Sequence, residues 1–169
     1  MDWSKAKTIL IVALLITNLI VGGFYFSSFA SEKNALEAAA QNTQALLAEN
    51  GVALNCKIPV KPLRLPVAFI NFESSGKAID SYKGYALVIT GEDNAVPVSS
   101  TAGESRGLVE SASAAVIKTL KLNQDISSVD GIELVYQVDR SGYNQLGEDT
   151  AFPAWAVTTN LGTYYIEAL

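Results

Sequence analysis

Between Lys7 and Glu32 the chain carries no charged residue, and no other feature limits its fold so strongly. Thr8–Phe26 reads TILIVALLITNLIVGGFYF, with 14 of 19 positions apolar. As an α-helix rising about 1.5 Å per residue, that stretch spans roughly 28 Å, close to the ~30 Å hydrocarbon core of a bilayer. Trp3 precedes it, and Phe24, Tyr25 and Phe26 close it, where interfacial aromatic side chains belong. Lys5, Lys7 and the amino terminus hold the short end in the cytoplasm by the positive-inside bias. The expectation is a cytoplasmic tail at 1–7, a transmembrane helix at 8–28 and everything beyond on the outer side of the cell membrane. A cleaved signal peptide has the same polarity, and Ser28-Phe29-Ala30 offers the small-x-small pattern of a cleavage site. The apolar run, however, exceeds the roughly 7–15 residues of a signal core. A retained single-pass anchor, with the lipid bilayer as its first partner, is the expected form.

Asn18 is the single amide within the apolar run. Between membrane helices such a group contributes on the order of 1 kcal/mol through a cross-helix hydrogen bond. Simple tolerance near the outer half of the span is an equal reading. Leu14, Thr17, Asn18 and Gly22 make the candidate helix–helix interface, while Gly22-Gly23 equally suits a hinge at the membrane exit.

After the anchor, residues 29–51 read as a membrane-proximal helix, either starting at Ser31 as N-cap or running on from the span as a stalk, with Gly51 as the residue that ends it. Leu36, Ala40, Thr43 and Leu47 form a narrow stripe, expected to pack on the chain's own domain rather than on a partner helix. Prolines at 59, 62 and 66 then force an extended path. Strand signals follow at Val67–Phe72, Gly84–Thr90, Ile132–Val138, Ala154–Thr159 and Thr163–Ala168, and an amphipathic helix over Glu104–Leu122. Residues 91–107 read as a long loop or a partly paired segment, and Asn160-Leu161-Gly162 as a hairpin turn. The outer part, 52–169, is thus expected to be α+β: an antiparallel sheet with a packed helix.

The composition removes much of the usual enzyme menu. Histidine is absent and Cys56 is the single cysteine, so Ser-His and Cys-His catalysis, imidazole metal sites and thiolate zinc clusters are excluded. Beyond residue 30 the chain has ten bases against 16 acids, which argues against nucleic acid as a partner. Cys56 stands beside Lys57, which would lower its pKa slightly, yet no base accompanies it and a structural thiol is the simpler reading. The acidic doublets Glu92-Asp93 and Glu148-Asp149 read as solvated loop charge and lack the spaced oxygen ligands of a calcium loop. No catalytic residue, cofactor or metal is expected.

The opening Met1-Asp2-Trp3-Ser4-Lys5-Ala6-Lys7-Thr8-Ile9, with Thr17-Asn18 inside the apolar helix, resembles the amino terminus of the YycI family. These are membrane-anchored regulatory proteins of the YycFG (WalRK) two-component system of Gram-positive bacteria. The passage Glu49-Asn50-Gly51-Val52 to Ile58-Pro59 is similar to the one after that family's anchor. Phe152-Pro153-Ala154-Trp155-Ala156-Val157 through Gly162-Thr163-Tyr164-Tyr165-Ile166-Glu167-Ala168 is similar to its closing hairpin. Asp2, Trp3, Lys5, Lys7, Pro153, Trp155, Tyr164 and Tyr165 carry the match. Typical members are longer, and the stretch from Leu65 to Leu122 matches only loosely. The resemblance implies a non-enzymatic regulator that associates in the membrane with a sensor histidine kinase and a YycH-like protein, largely through transmembrane helices. The rival expectation is an anchored or secreted PepSY-like module that binds or inhibits an extracytoplasmic partner.

Overall fold

The computed structural model describes residues 3–60, 64–91, 95–141 and 147–169, without the side chains of 3–13, 23–29 and 104–106. The chain begins with a 47-residue helix, α1 (Trp3–Glu49). Neither Gly22-Gly23 nor Ser31 interrupts it, so of the two expectations, a separate start at Ser31 after a hinge and a helix running on from the apolar run, the second holds. The physical reason is local: proline is absent from Trp3–Glu49, and a helical glycine costs only about 1 kcal/mol. Gly51, at φ 71°, ends it as anticipated. The Val52 N–H donates to the Leu47 carbonyl at 2.9 Å and the Gly51 N–H to the Ala48 carbonyl at 3.1 Å. Leu47 and Val52 are both buried, which completes a Schellman cap with its hydrophobic contact.

Among the described residues, eight strands and a second helix follow: β1 (Ala53–Leu54), β2 (Arg64–Glu73), β3 (Ser81–Tyr82), β4 (Tyr85–Thr90), β5 (Val96–Leu108), α2 (Ala112–Leu122), β6 (Ser128–Asp139), β7 (Gly147–Thr159) and β8 (Gly162–Glu167). The sheet runs β3-β4-β6-β7-β2-β5, with β1 joined to β6 and β8 to β7. The expected α+β architecture holds, but the sheet is mixed. β4 lies parallel to β6, Leu87 opposite Tyr136 and Thr90 opposite Asp139, and β1 is also parallel to β6. A parallel pair needs a long crossover, and β5 with α2 supplies it between β4 and β6. β7 joins the two halves: Gly147–Ala151 pairs with β2, while Phe152–Thr159 pairs with β6. The Asn160-Leu161 turn closes the hairpin to β8 as expected, with Thr159 opposite Gly162.

Residues 96–108 decide one expectation and correct another. Of the loop and the partly paired segment, the second holds: they form a strand along β2, with Phe69 opposite Thr101 and Asn71 opposite Ser99. The helix expected from Glu104 begins only at Ala112, where the Ser111 hydroxyl accepts from the Ala114 N–H and caps α2. One face of the sheet carries the core, in which Ala112, Ala115 and Val116 of α2 meet Ile70, Tyr136, Trp155, Val157 and Ile166. Thr43 and Leu47 dock the end of α1 onto the same layer, so that end of the stripe packs on its own domain as anticipated, while Leu36 and Ala40 are half-buried.

Candidate functional site

Two regions hold the residues that the sequence singled out. On α1, Leu14, Asn18 and Gly22 recur every four residues and share one face, with Thr17 beside them. Leu14, Leu15, Ile16, Leu19, Ile20 and Val21 are all more than half exposed. They point around the whole circumference of the helix, so no single apolar stripe exists here for a domain to cover. Among the described residues, no helix is long and apolar enough to cross a membrane. The Thr8–Phe26 run of the sequence reading falls largely on side chains outside that description, as do those of Trp3, Lys5 and Lys7; Asp2 lies outside the described residues altogether.

α1 runs from this exposed stretch into the domain. Its last turns pack on α2 and β1, and Lys33 and Glu37 form an i,i+4 ion pair at 3.6 Å along it. Between α1 and α2 lies a groove of about 470 Å³ lined by Ala39, Thr43, Leu46, Ala114 and Ile117. A second groove, about 530 Å³, continues it past Val52, Leu120 and Ile126.

The closing motif residues meet in the β7–β8 hairpin. Pro153 is fully buried, and its carbonyl accepts from the Ala168 N–H at 2.9 Å. Trp155 is buried, its indole N–H donating 2.8 Å to the Glu110 carbonyl in front of α2. The Tyr164 hydroxyl accepts from Asn123 Nδ2 at 3.2 Å, tying β8 to the end of α2. Tyr165 lies on the opposite face, against Val135, Ala154 and Ala156. These residues build the scaffold; their hydrogen bonds are spent inside it.

Among the described residues, no group of three His, Cys, Asp or Glu side chains is placed to hold a metal ion. The Cys56 thiol is half-buried, and burial, followed by the nearby Asp130 carboxylate, pushes its pKa up. That reverses the lowering expected from Lys57 and makes the thiol less nucleophilic. Glu92 and Asp93 lie outside the described residues. Asp149 corrects the loop reading of its doublet: it sits in β7, its carboxylate 3.7 Å from the guanidinium of Arg140. Arg140, only 2% exposed, lies over the Phe72 ring at 4.1 Å. This buried Arg was missed in the sequence, where Asp139-Arg140-Ser141-Gly142 reads as an ordinary polar turn. Asp139 itself is held below the usual carboxylate range, chiefly by hydrogen bonds from Ser141.

Compared with known proteins, the chain matches no protein-family model, no curated protein and no solved structure.

Proposed function

We propose that this chain is a single-pass membrane regulator of a wall-sensing histidine kinase, similar to the YycI proteins its two ends resemble. One observation carries the reading: an apolar helix exposed all round from Leu14 to Val21 runs without a break into a helix end docked in the domain core at Thr43 and Leu47. A helix with apolar side chains on every side needs a nonaqueous surrounding, and a bilayer supplies it. The N-terminus then lies in the cytoplasm and the β-sheet domain outside, with Leu14, Thr17, Asn18 and Gly22 toward neighbouring membrane helices of the kinase and a YycH-like protein. Because α1 is continuous, a tilt or rotation of the domain reaches the membrane helix directly. A coupling of about 1–3 kcal/mol is enough to shift a kinase equilibrium. No catalysis is required of the chain.

The test is to replace Ile9–Phe26 with an unrelated membrane helix and follow co-purification with the sensor kinase and the output of its target genes. Loss of both, with the domain still folded, is the expected result. Unchanged association and output would refute the membrane-helix mechanism.

A further inference from the structure

Of the chain's ten asparagines, Asn50 alone precedes a glycine, and that pair forms the joint between α1 and the domain. Attack of the main chain on an asparagine side chain is fastest at such a pair, because glycine has no Cβ to hinder the approach of its nitrogen. The surroundings are open. Asn50 is exposed, and a carbon added at the Cβ position of Gly51 would meet nothing within 4 Å. Asn50 also borders the second groove, beside Leu120 and Gln124. Water and a five-membered ring both have room here.

Two hydrogen bonds hold the reaction back. The Asn50 side-chain amide donates to the Leu46 carbonyl at 2.8 Å, and the Gly51 N–H donates to the Ala48 carbonyl at 3.1 Å. The attacking nitrogen is thus engaged by the helix, and the carbon it must reach is held by its own amide. An opened cap frees both, and local opening of this kind precedes global unfolding.

We propose that Asn50 is a deamidation site whose conversion irreversibly releases the end of α1 from the domain. The Gly51 nitrogen bonds to Asn50 Cγ and gives up its proton; the side-chain nitrogen takes up a proton and leaves as ammonia. Water then opens the resulting succinimide at either carbonyl, giving aspartate or isoaspartate. Neither product restores the cap. A carboxylate has no N–H for the Leu46 carbonyl and lies at the negative end of the helix dipole. The isoaspartate also adds one carbon to the main chain ahead of Gly51. That displaces the Val52 N–H from the Leu47 carbonyl, which it meets at 2.9 Å in the intact cap, and separates the Leu47–Val52 contact. The reaction needs only the cap, so it stands whether or not α1 crosses a bilayer.

The full chain in nanodiscs is aged for weeks at neutral pH. Peptide mapping by mass spectrometry follows amide-to-acid conversion at every asparagine, and hydrogen exchange follows α1. The expected result is conversion at Asn50 at least tenfold faster than at any other asparagine, with both acid products present. In the converted fraction Thr43–Val52 loses protection while β6–β8 keeps it. Leu47→Ala, which loosens the cap, speeds conversion at least threefold, and mild urea does the same should that variant fold poorly. Asn50→Gln keeps its α1 protection over the same period, whereas unaged Asn50→Asp already shows part of the loss. Conversion at Asn50 no faster than elsewhere, a rate indifferent to both Leu47→Ala and urea, or full protection of Thr43–Val52 after conversion would overturn the proposal.

Discussion

Leu47 and Leu46 are neighbours on one helix, and they should respond differently to truncation. Leu47 is 1% exposed and clamped by Val52 in the helix cap, whereas Leu46 is 40% exposed at the rim of the α1–α2 groove. Leu→Ala removes about three buried carbon groups, worth roughly 2.4 kcal/mol of transfer free energy. The cavity left behind adds to this, and buried Leu→Ala changes cost about 2–5 kcal/mol. Leu47→Ala should therefore lose about 3 kcal/mol, and Leu46→Ala less than about 1 kcal/mol, since its side chain already meets solvent. Urea unfolding of the full chain in nanodiscs, followed by the fluorescence of buried Trp155 in a Trp3→Phe background, reads the difference. With a slope of about 2 kcal/mol/M, the midpoint of Leu47→Ala falls by about 1.5 M and that of Leu46→Ala by under 0.5 M. Equal losses would mean that α1 is not docked through the Thr43–Leu47 face, and the rigid link between anchor and domain would fail with it.

Arg140→Ala leaves the Asp149 carboxylate without its buried counter-charge and should cost about 3–5 kcal/mol; adding Asp149→Ala should recover part of that loss in a double-mutant cycle read by urea unfolding. Gly51→Ala meets no atom within 4 Å but must hold φ 71°, so its cost is conformational, about 1–2 kcal/mol, and a tenfold smaller change would contradict the cap. Tyr136 donates its phenol proton to the Pro66 carbonyl at 2.8 Å, and burial, followed by Tyr82 and Tyr85, pushes its pKa up to about 12. A raised native pKa means that the fold holds this proton more tightly than the unfolded chain, whose phenol titrates near 10. The associated stability is intact below about pH 10 and lost as pH rises towards 12. Tyr136→Phe should flatten that decline in unfolding curves taken from pH 9 to 12, and an unchanged decline would assign it to other groups.

The parts of the fold written in local pattern were legible, and those written in pairing were not. β8 and the end of β7 alternate inward Trp155, Val157 and Ile166 with outward Ala156 and Tyr165, so period, turn and face could all be read. Gly51 announced its cap because the left-handed conformation favours glycine. By contrast, β5 reads VPVSSTAGESRGL; its small and polar residues have little strand preference, and β2 imposes its conformation. The parallel match of β4 to β6 is likewise invisible, since a strand's own sequence does not state which neighbour it will have. Arg140 was illegible for a related reason: its burial depends on Phe72 and Asp149 from two distant strands. Of the candidate site, the apolar run was plain in the sequence, while the ties of Trp155 to the Glu110 carbonyl and of Tyr164 to Asn123 join distant segments that only the fold brings together.

The most direct measurement concerns the path of α1. Two single-cysteine chains in a Cys56→Ser background, Ser4→Cys and Ser31→Cys, are treated in intact cells with a membrane-impermeant maleimide and again after permeabilisation. A spanning, uncleaved α1 predicts that Ser31→Cys labels in intact cells, that Ser4→Cys labels only after permeabilisation, and that both adducts have full-length mass. Labelling of both positions in intact cells, or a Ser31→Cys adduct beginning at residue 31, would contradict it.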